Sequence, residues 1–184
     1  MRVLLAMAGL ALPLAAQVNV AALPLPADAT GESALSIEIA HVLAELPYYG
    51  VFDNLEYTAS PGAHGAMVRL SGAVTRPTLK RDAGIVVRHI DGVEQVENRI
   101  RVLPLSPEDD RIRLAEYRAV YGYPALQRYA LAAIPPIHIV VANGRVILVG
   151  SVVAKADKAL AGARAKNVPG VLGVGNQLLV VSNQ

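Results

Sequence analysis

Apolar and polar residues alternate along several short runs of the chain, and segments with helical spacing separate these runs. In MVRLSGAV, Val68 and Leu70 alternate with polar neighbours, which predicts a half-buried strand that ends at Gly72. Apolar residues then recur at helical spacing, and Pro77 suits the first turn of a helix. Gly92 is placed to end this helix, and the pattern predicts a final apolar strand after it.

The same pattern occurs a second time, 78 residues later and without a gap. Gly72 is matched by Gly150, and Gly92 is matched by Gly170. Because glycine is favoured where the backbone needs a conformation that other residues avoid, matched glycines indicate one structural unit present twice. Further matched pairs are Val68 and Val146, Leu70 and Leu148, Val74 and Val152, Gly84 and Gly162, Val96 and Val174, and Asn98 and Asn176.

A further helix and strand are predicted upstream of each matched glycine. In the first copy, apolar residues recur at helical spacing from Leu35 to Leu46. In the second copy, Ser106-Pro107 combines an N-cap residue with a proline in the first turn. Asn143-Gly144 between apolar runs predicts a tight hairpin in the second copy, where the first has the longer loop SPGAHG. The second copy also carries an extra segment, ALQRYALAAIPP, for which we predict a short helix.

Each unit therefore has the order helix, strand, strand, helix, strand. We predict an α+β fold of two tandem α-β-β-α-β units, each with two helices packed on a three-stranded mixed sheet. We place the units at residues 31–105 and 106–184. The linker LPLSP, residues 103–107, is too short for independent tumbling, so we expect the units to be close neighbours.

The first residues have the pattern of a secretory signal peptide. MRVLLAMAGLALPLAAQ places one arginine before an apolar run and small residues at its end. We predict a signal peptide over residues 1–17, followed by a flexible lead-in over residues 18–30 that is rich in alanine and proline. Because a membrane-spanning helix needs about 20 apolar residues, we favour cleavage and export, and a short N-terminal anchor is the alternative.

Composition and spacing exclude several kinds of site. The chain has no cysteine, which excludes disulfides, cysteine-based zinc sites and thiol nucleophiles. Of four scattered histidines, only His41 has an acidic partner at helical spacing, Glu45, and a solvated helix face is the simpler explanation of that pair. His138 fits a hydrogen-bonded strand position, and Asp109-Asp110 fits the positive end of a helix. We find no nucleophile with a base, and we predict no catalytic residue, no metal and no cofactor.

Charge is divided unequally between the two units. Residues 31–105 contain seven Lys or Arg and nine Asp or Glu, whereas residues 106–184 contain nine and five. On the second helix of the second unit, a rotation of about 100° per residue places three lysines and Gly162 on one narrow stripe. The lysines are Lys155, Lys158 and Lys166. Arg164 lies nearer the buried side, and we expect its charged end to reach solvent.

The lysine stripe has two explanations. An ordinary solvated face is the simpler one. The functional explanation is contact with anionic lipid headgroups, to which each basic residue contributes about 1 kcal/mol. Tyr121 and Tyr123 are candidate anchors, because tyrosine suits an interface with one wet side, and packing of the helix on the sheet is the alternative for them. Nucleic acid is disfavoured, because no basic run is interleaved with stacking aromatic residues.

The repeated stretches VRLSGAV…HIDGVEQVENRIRV and VILVGSV…NVPGVLGVGNQLLV resemble the BON domain, named for bacterial osmotic-stress and nodulation proteins. The shared pattern is a strand ending in Leu-x-Gly, an Ala-rich helix, Gly-Val-x-x-Val-x-Asn and a last apolar strand. The resemblance extends from Gly31 to Ser182. The insert of the second copy and the longer loop of the first depart from the family pattern without changing the glycine register.

This resemblance implies a periplasmic protein of the cell envelope that is not an enzyme. Its domains would bind phospholipid surfaces or other envelope components, in envelope maintenance or an osmotic-stress response. The alternative is a protein-interaction or structural module of the periplasm, including a chaperone-like role. The salt dependence of binding separates the two, because contacts made by lysines weaken with salt and apolar interfaces persist.

Overall fold

The computed structural model describes residues 18–19 and 31–181 of the chain. The predicted signal peptide, residues 1–17, lies outside this part, as do residues 20–30 and 182–184. Four α-helices and two mixed sheets form an α+β fold of two similar units within the described residues, which confirms the predicted fold class. We refer to residues 31–105 as domain 1 and to residues 106–181 as domain 2.

Domain 1 has two helices on one side of its sheet. The helices are α1, Gly31–Ala44, and α2, Pro77–Arg88. The strands are β2, Asn54–Pro61, β3, Ala66–Val74, β4, Val93–Asn98, and β5, Arg101–Val102. Strands β2 and β3 are antiparallel, and β4 and β5 both pair with β3 in parallel. A two-residue strand β1, Val18–Asn19, pairs with the outer edge of β2, although the sequence analysis predicted no strand in the lead-in.

Domain 2 repeats this arrangement. Its helices are α3, Pro107–Tyr121, and α4, Lys155–Lys166. Its strands are β6, Ile137–Ala142, β7, Arg145–Val152, β8, Gly173–Asn176, and β9, Leu179–Val180. Asn143 and Gly144 join β6 to β7 with φ of 51° and 71°, which confirms the tight hairpin. The predicted short helix in the insert is a 3₁₀ helix, Gln127–Leu131.

The last strand of each unit is broken by an asparagine, a feature that the sequence analysis did not predict. The Asn98 side chain donates to the carbonyl oxygen of Lys80 at 2.6 Å and accepts from the backbone nitrogen of Ile100 at 3.1 Å. Asn176 makes the two equivalent bonds in domain 2. A Cβ on the facing helix glycine would lie within 3 Å of the asparagine amide. These glycines are Gly84 and Gly162, which explains why both pairs are matched in the sequence.

The matched strand and loop glycines are required by the backbone. Gly72 and Gly150 have φ of +103° and +112°. A Cβ on either would overlap a backbone carbonyl oxygen beside it, that of Asn54 or Pro136. Gly92 and Gly170 have φ of +86° and +90°. Because L side chains rarely adopt this conformation, the four positions define the unit in both copies.

Each domain has its core between the helices and one face of the sheet. The largest buried side chains of the domain 1 core include Ile39, Leu43, Leu55, Tyr57, Leu70 and Leu79. Those of domain 2 include Ile112, Leu126, Ile137, Ile139 and Leu148. None of the described helices is long and apolar enough to cross a membrane.

Candidate functional site: the surface of domain 2

The three predicted lysines lie along one border of α4. Lys155 and Lys166 are exposed, and Lys158 is half-buried. Because the first and last of them are eleven positions apart on the helix, roughly 16 Å, the lysines form a row rather than a pocket. Gly162, which helical rotation places on the same stripe, is buried against the side chain of Asn176.

The two candidate tyrosines occupy different environments. Tyr121 is 3% exposed, and its hydroxyl donates to the carbonyl oxygen of Ile137 at 2.5 Å. Burial raises the pKa of this hydroxyl. Tyr121 therefore anchors α3 on β6, which was the alternative considered for it. Tyr123 is 36% exposed, and the guanidinium of Arg164 lies 5.0 Å from its ring centroid.

The insert of domain 2 forms a groove of about 530 Å³ against α3. Its lining includes Tyr117, Arg118, Tyr121, Gln127, Arg128 and Leu131. The insert is fixed to the start of α4, because the Tyr129 hydroxyl donates to Asp157 Oδ2 at 2.6 Å and Arg128 forms an ion pair with the same carboxylate. The groove combines aromatic and aliphatic walls with two guanidinium groups at its edge.

Domain 1 packs on the face of the domain 2 sheet that the helices leave open. Val140 contacts Ala73 and Leu103 in a small apolar cluster between the domains. The backbone nitrogen of Ile139 donates to the carbonyl oxygen of Val51 at 2.7 Å. Strand β6 is therefore buried on both faces, and the two domains are close neighbours, as the short linker predicted.

His138 lies in this contact between the domains. It is fully buried, its Nδ1 is 2.5 Å from the carbonyl oxygen of Asp53, and its ring stacks on Tyr49 with centroids 5.5 Å apart. A carbonyl can only accept, so Nδ1 donates, and Nε2 is buried without a hydrogen-bond partner in the described part of the chain. Burial lowers the pKa of the imidazole to about 4. The predicted hydrogen-bonded strand position is confirmed.

Helix α3 buries three charged residues. Asp109 accepts from the backbone nitrogens of Asn143-Gly144 at 2.8 Å each, so it fixes the hairpin as well as suiting the helix start. Arg113 donates to the carbonyl oxygen of Val141 at 2.7 Å. Glu116 is fully buried, and neither of its carboxylate oxygens has a partner among the described residues. Burial raises the pKa of Glu116 to about 7.

The remaining candidate for chemistry is a surface pair. His41 Nε2 lies 3.4 Å from Glu45 Oε1, and both side chains are 67% exposed. This is the solvated helix face that was the simpler explanation. No group of three or more His, Cys, Asp or Glu side chains is arranged to hold a metal within residues 18–19 and 31–181.

The sequence analysis predicted neighbouring domains but not which surfaces meet, although one signal for this was present. Strand β6 reads IHIVVA, an almost continuous apolar run, whereas the equivalent β2 reads NLEYTASP and alternates. A strand that is apolar at every position is typical of burial on both faces. No comparable signal exists for Glu116, because its position on the buried side of α3 depends on how the helix is rotated.

Comparison with known proteins agrees with the repeated unit. The BON domain model matches residues 40–104 and 125–182. Two structures of CdsD, a structural protein of the type III secretion system of Chlamydia trachomatis, are similar at 15% identity. One is its C-terminal domain, with 80% of this chain and 97% of that chain covered; the other covers 82% and 94%. Both have a TM-score of 0.30.

No curated protein matches the chain in sequence. The BON family model nevertheless covers both repeats and more than half of the 184 residues. BON domains are a non-catalytic, binding type of domain associated with osmotic-stress and envelope proteins. The chain belongs to the BON domain family and carries the domain twice.

Proposed function

We propose that this is an exported protein of the periplasm that binds anionic phospholipid surfaces through domain 2 and catalyses no reaction. The observation that supports this most directly is the row of Lys155, Lys158 and Lys166 along α4. These cations lie on the domain with an excess of Lys and Arg, so the field of that domain favours an anionic partner.

The surface of α4 also leaves the lysines accessible. Between the lysines, the outward side chains of the helix are small and exposed: Ala156, Ala159 and Ala163. Short side chains do not screen the lysine amines from anionic headgroups. At about 1 kcal/mol for each basic residue, three lysines give weak association that salt screens.

The experiment is co-sedimentation of the chain from residue 18 onward with vesicles. Neutral phosphatidylcholine vesicles are compared with vesicles that also contain phosphatidylglycerol, at low and high salt. We expect binding only to the anionic vesicles and loss of binding in high salt. Charge reversal at all three lysines (Lys155→Glu, Lys158→Glu and Lys166→Glu) should abolish it.

Helix α2 of domain 1 supplies the matched control. Under the 78-residue shift, Lys80 and Arg88 occupy the positions of Lys158 and Lys166. Reversing Lys80, Arg88 and the adjacent Arg81 changes the net charge by the same amount on the equivalent helix. Binding that survives in this control and disappears in the α4 variant supports the site. Equal loss in both would leave only a dependence on total charge and contradict it.

A second candidate function is protein binding through the outer sheet face of domain 1. The observation that favours it is that the equivalent face of domain 2 is covered by a protein domain. In domain 1 the face carries an exposed network in which Glu97 accepts from Arg69 at 2.6 Å and from Arg99 at 2.5 Å. If no vesicle binds under any condition, this face becomes the first to test for a protein partner.

A further inference from the structure

The same end of the duplicated unit is covered in domain 1 and partly exposed in domain 2. In domain 1, Ala73 and Leu103 form this end and pack against Val140. The 78-residue shift places Ser151 and Val181 at the matching positions of domain 2. Ser151 is buried, but Val181 and the aliphatic side chains near it are exposed. An end that makes an apolar contact in one copy is thus partly open in the other.

Three side chains form this open end, which we call the apolar tip: Val153, Leu179 and Val181. They are 45%, 54% and 37% exposed. Strand β9 pairs with β7 so that Leu179 lies beside Ser151, and the backbone nitrogen of Val181 donates to the carbonyl oxygen of Val152 at 2.9 Å. Because side chains alternate along strands, Leu179 lies on the same sheet face as Ile147, so the tip adjoins the part of this face that domain 1 covers.

The acidic side chains of domain 2 are concentrated away from the tip. Three of them are in the first turn of α3: Glu108, Asp109 and Asp110. Asp109 holds the Asn143-Gly144 turn, which fixes this acidic turn at the hairpin end of the sheet. Strand β7 then runs eight residues from the hairpin to the tip. At about 3.3 Å per residue, roughly 25 Å separates the acidic end from the apolar tip.

The tip end is positive by contrast. The exposed Lys155 follows Val153 by two residues, and it is the first residue of α4. The N-terminus of this helix, and with it the positive end of its dipole, therefore lies at the tip. Of the other two acidic side chains of domain 2, Asp157 is paired with Arg128 and Glu116 is fully buried. An exposed aliphatic patch with neighbouring cations complements an anionic bilayer.

We infer that domain 2 meets an anionic bilayer with its apolar tip first. This inference rests on the proposed function and specifies how the same domain docks. The three aliphatic side chains enter the headgroup region, while Lys155 contacts the lipid phosphates. Lys166, at the other end of α4, is then roughly 16 Å further from the membrane and contributes little. A row of lysines lying flat would instead use both ends equally.

The first test compares aliphatic residues at opposite ends of domain 2. Leu179→Ser with Val181→Ser removes apolar surface from the tip. Leu172→Ser is the control, because Leu172 is 75% exposed and its backbone nitrogen donates to the carbonyl oxygen of Gly144 at the hairpin end. We expect the tip variant to bind vesicles with phosphatidylglycerol at least about tenfold more weakly, since several buried carbons are lost. The Leu172→Ser control should bind like the wild type.

The second test determines which end of α4 faces the bilayer and which side chains insert into it. Lys155→Glu should weaken binding several-fold more than Lys166→Glu. Because the chain has no tryptophan, Leu179→Trp and Leu172→Trp each introduce a single fluorescent reporter. Emission from Leu179→Trp should shift to shorter wavelength on anionic vesicles and be quenched by brominated lipid. Emission from Leu172→Trp should not change.

The outcomes separate this inference from the proposed function. If the wild type binds anionic vesicles but the tip variant binds equally well, or Leu172→Trp reports insertion, the orientation is wrong and the proposed function stands. If the wild type binds no vesicle, both are wrong. If the tip variant instead changes the sedimentation of the protein alone, the tip contacts a second copy of the chain and the inference is overturned.

Discussion

The outer faces of the two sheets occupy the same place in the repeated unit and have opposite chemistry. In domain 2, Val140 pairs across the hairpin with Ile147, and the face they share is covered by domain 1. The equivalent pair in domain 1 is Thr58 and Arg69, on a part of the face that remains open. The fold provides the same surface twice, and the side chains on it decide whether it makes a domain contact or faces water.

The largest expected effect comes from a charge on the covered face. Val140→Asp should lower the free energy of unfolding by roughly 3–5 kcal/mol, because the carboxylate would be buried without a partner. Thr58→Asp is the matched control on the open face, where it would lie beside Arg69, and it should change stability by less than about 1 kcal/mol. Urea denaturation measures both. Equal losses would mean that the two faces do not differ as described.

Substitution of the matched glycines should destabilise both domains to the same extent, because both copies use the same backbone conformation there. Gly72→Ala and Gly150→Ala would each place a Cβ against a carbonyl oxygen at a strongly positive φ. We expect each to cost roughly 2–4 kcal/mol in urea denaturation. Gly50→Ala is the control, since nothing lies within 4 Å of its Cβ position. A large loss in one domain alone would show that the duplicated glycine serves different purposes.

The buried face of α3 is distinguished from that of α1 by a carboxyl group. Glu116 has its pKa raised to about 7, so the folded state keeps it neutral while the unfolded chain ionises above about 4.5. Its contribution to stability is complete at acid pH and is lost as pH rises from about 4.5 to 7. Glu116→Gln should therefore gain stability relative to wild type over that range, by up to about 3 kcal/mol.

The control for this effect is Glu38→Gln on the exposed side of α1. Its unfolding free energy should follow that of the wild type at every pH. If Glu116→Gln also follows the wild type from pH 4 to pH 8 in urea denaturation, Glu116 is not kept neutral by burial.

His138, at the contact between the domains, should give the free energy of unfolding a pH dependence opposite to that of Glu116. Its pKa is lowered to about 4, so its contribution is complete above about 6.5 and is lost as pH falls towards 4, by up to about 3 kcal/mol. Between about pH 4.5 and 6.5 the two residues oppose each other, and the wild type should change little. Glu116→Gln should reveal the loss towards acid, and adding His138→Gln should remove it. The exposed His89→Gln serves as the control, and a loss in acid that persists without His138 would contradict this assignment.

Much of the fold was predictable because its determinants are local. Gly72 and Gly150 mark backbone conformations that few residues adopt, and Asn143-Gly144 specifies a hairpin by its own φ angles. The break in the last strand of each unit was harder to predict from the sequence. Asn98 was visible as a matched residue, but its two hydrogen bonds become apparent only when α2 lies over the strand.

The candidate site was predictable only where exposure follows from helix periodicity. Lys155 and Lys166 are exposed as predicted, because the apolar side of α4 is clear in the sequence. Tyr121 lies at the end of α3, where a small rotation decides between solvent and core, and it is buried. The apolar tip depends on β9 meeting β7, a long-range pairing that no local pattern specifies.

The polar outer face of domain 1 limits how far units of this kind can be stacked. Each contact needs the end of one unit and an apolar sheet face on the next, and domain 2 provides such a face. A further unit of this kind, placed before domain 1, would have to dock on Thr58 and Arg69. It would then bury the charge of Arg69 without supplying an opposite charge. The polar outer face of domain 1 thus resembles that of a capping repeat in a solenoid. A further unit of the same kind would not find on domain 1 the apolar face that domain 1 finds on domain 2.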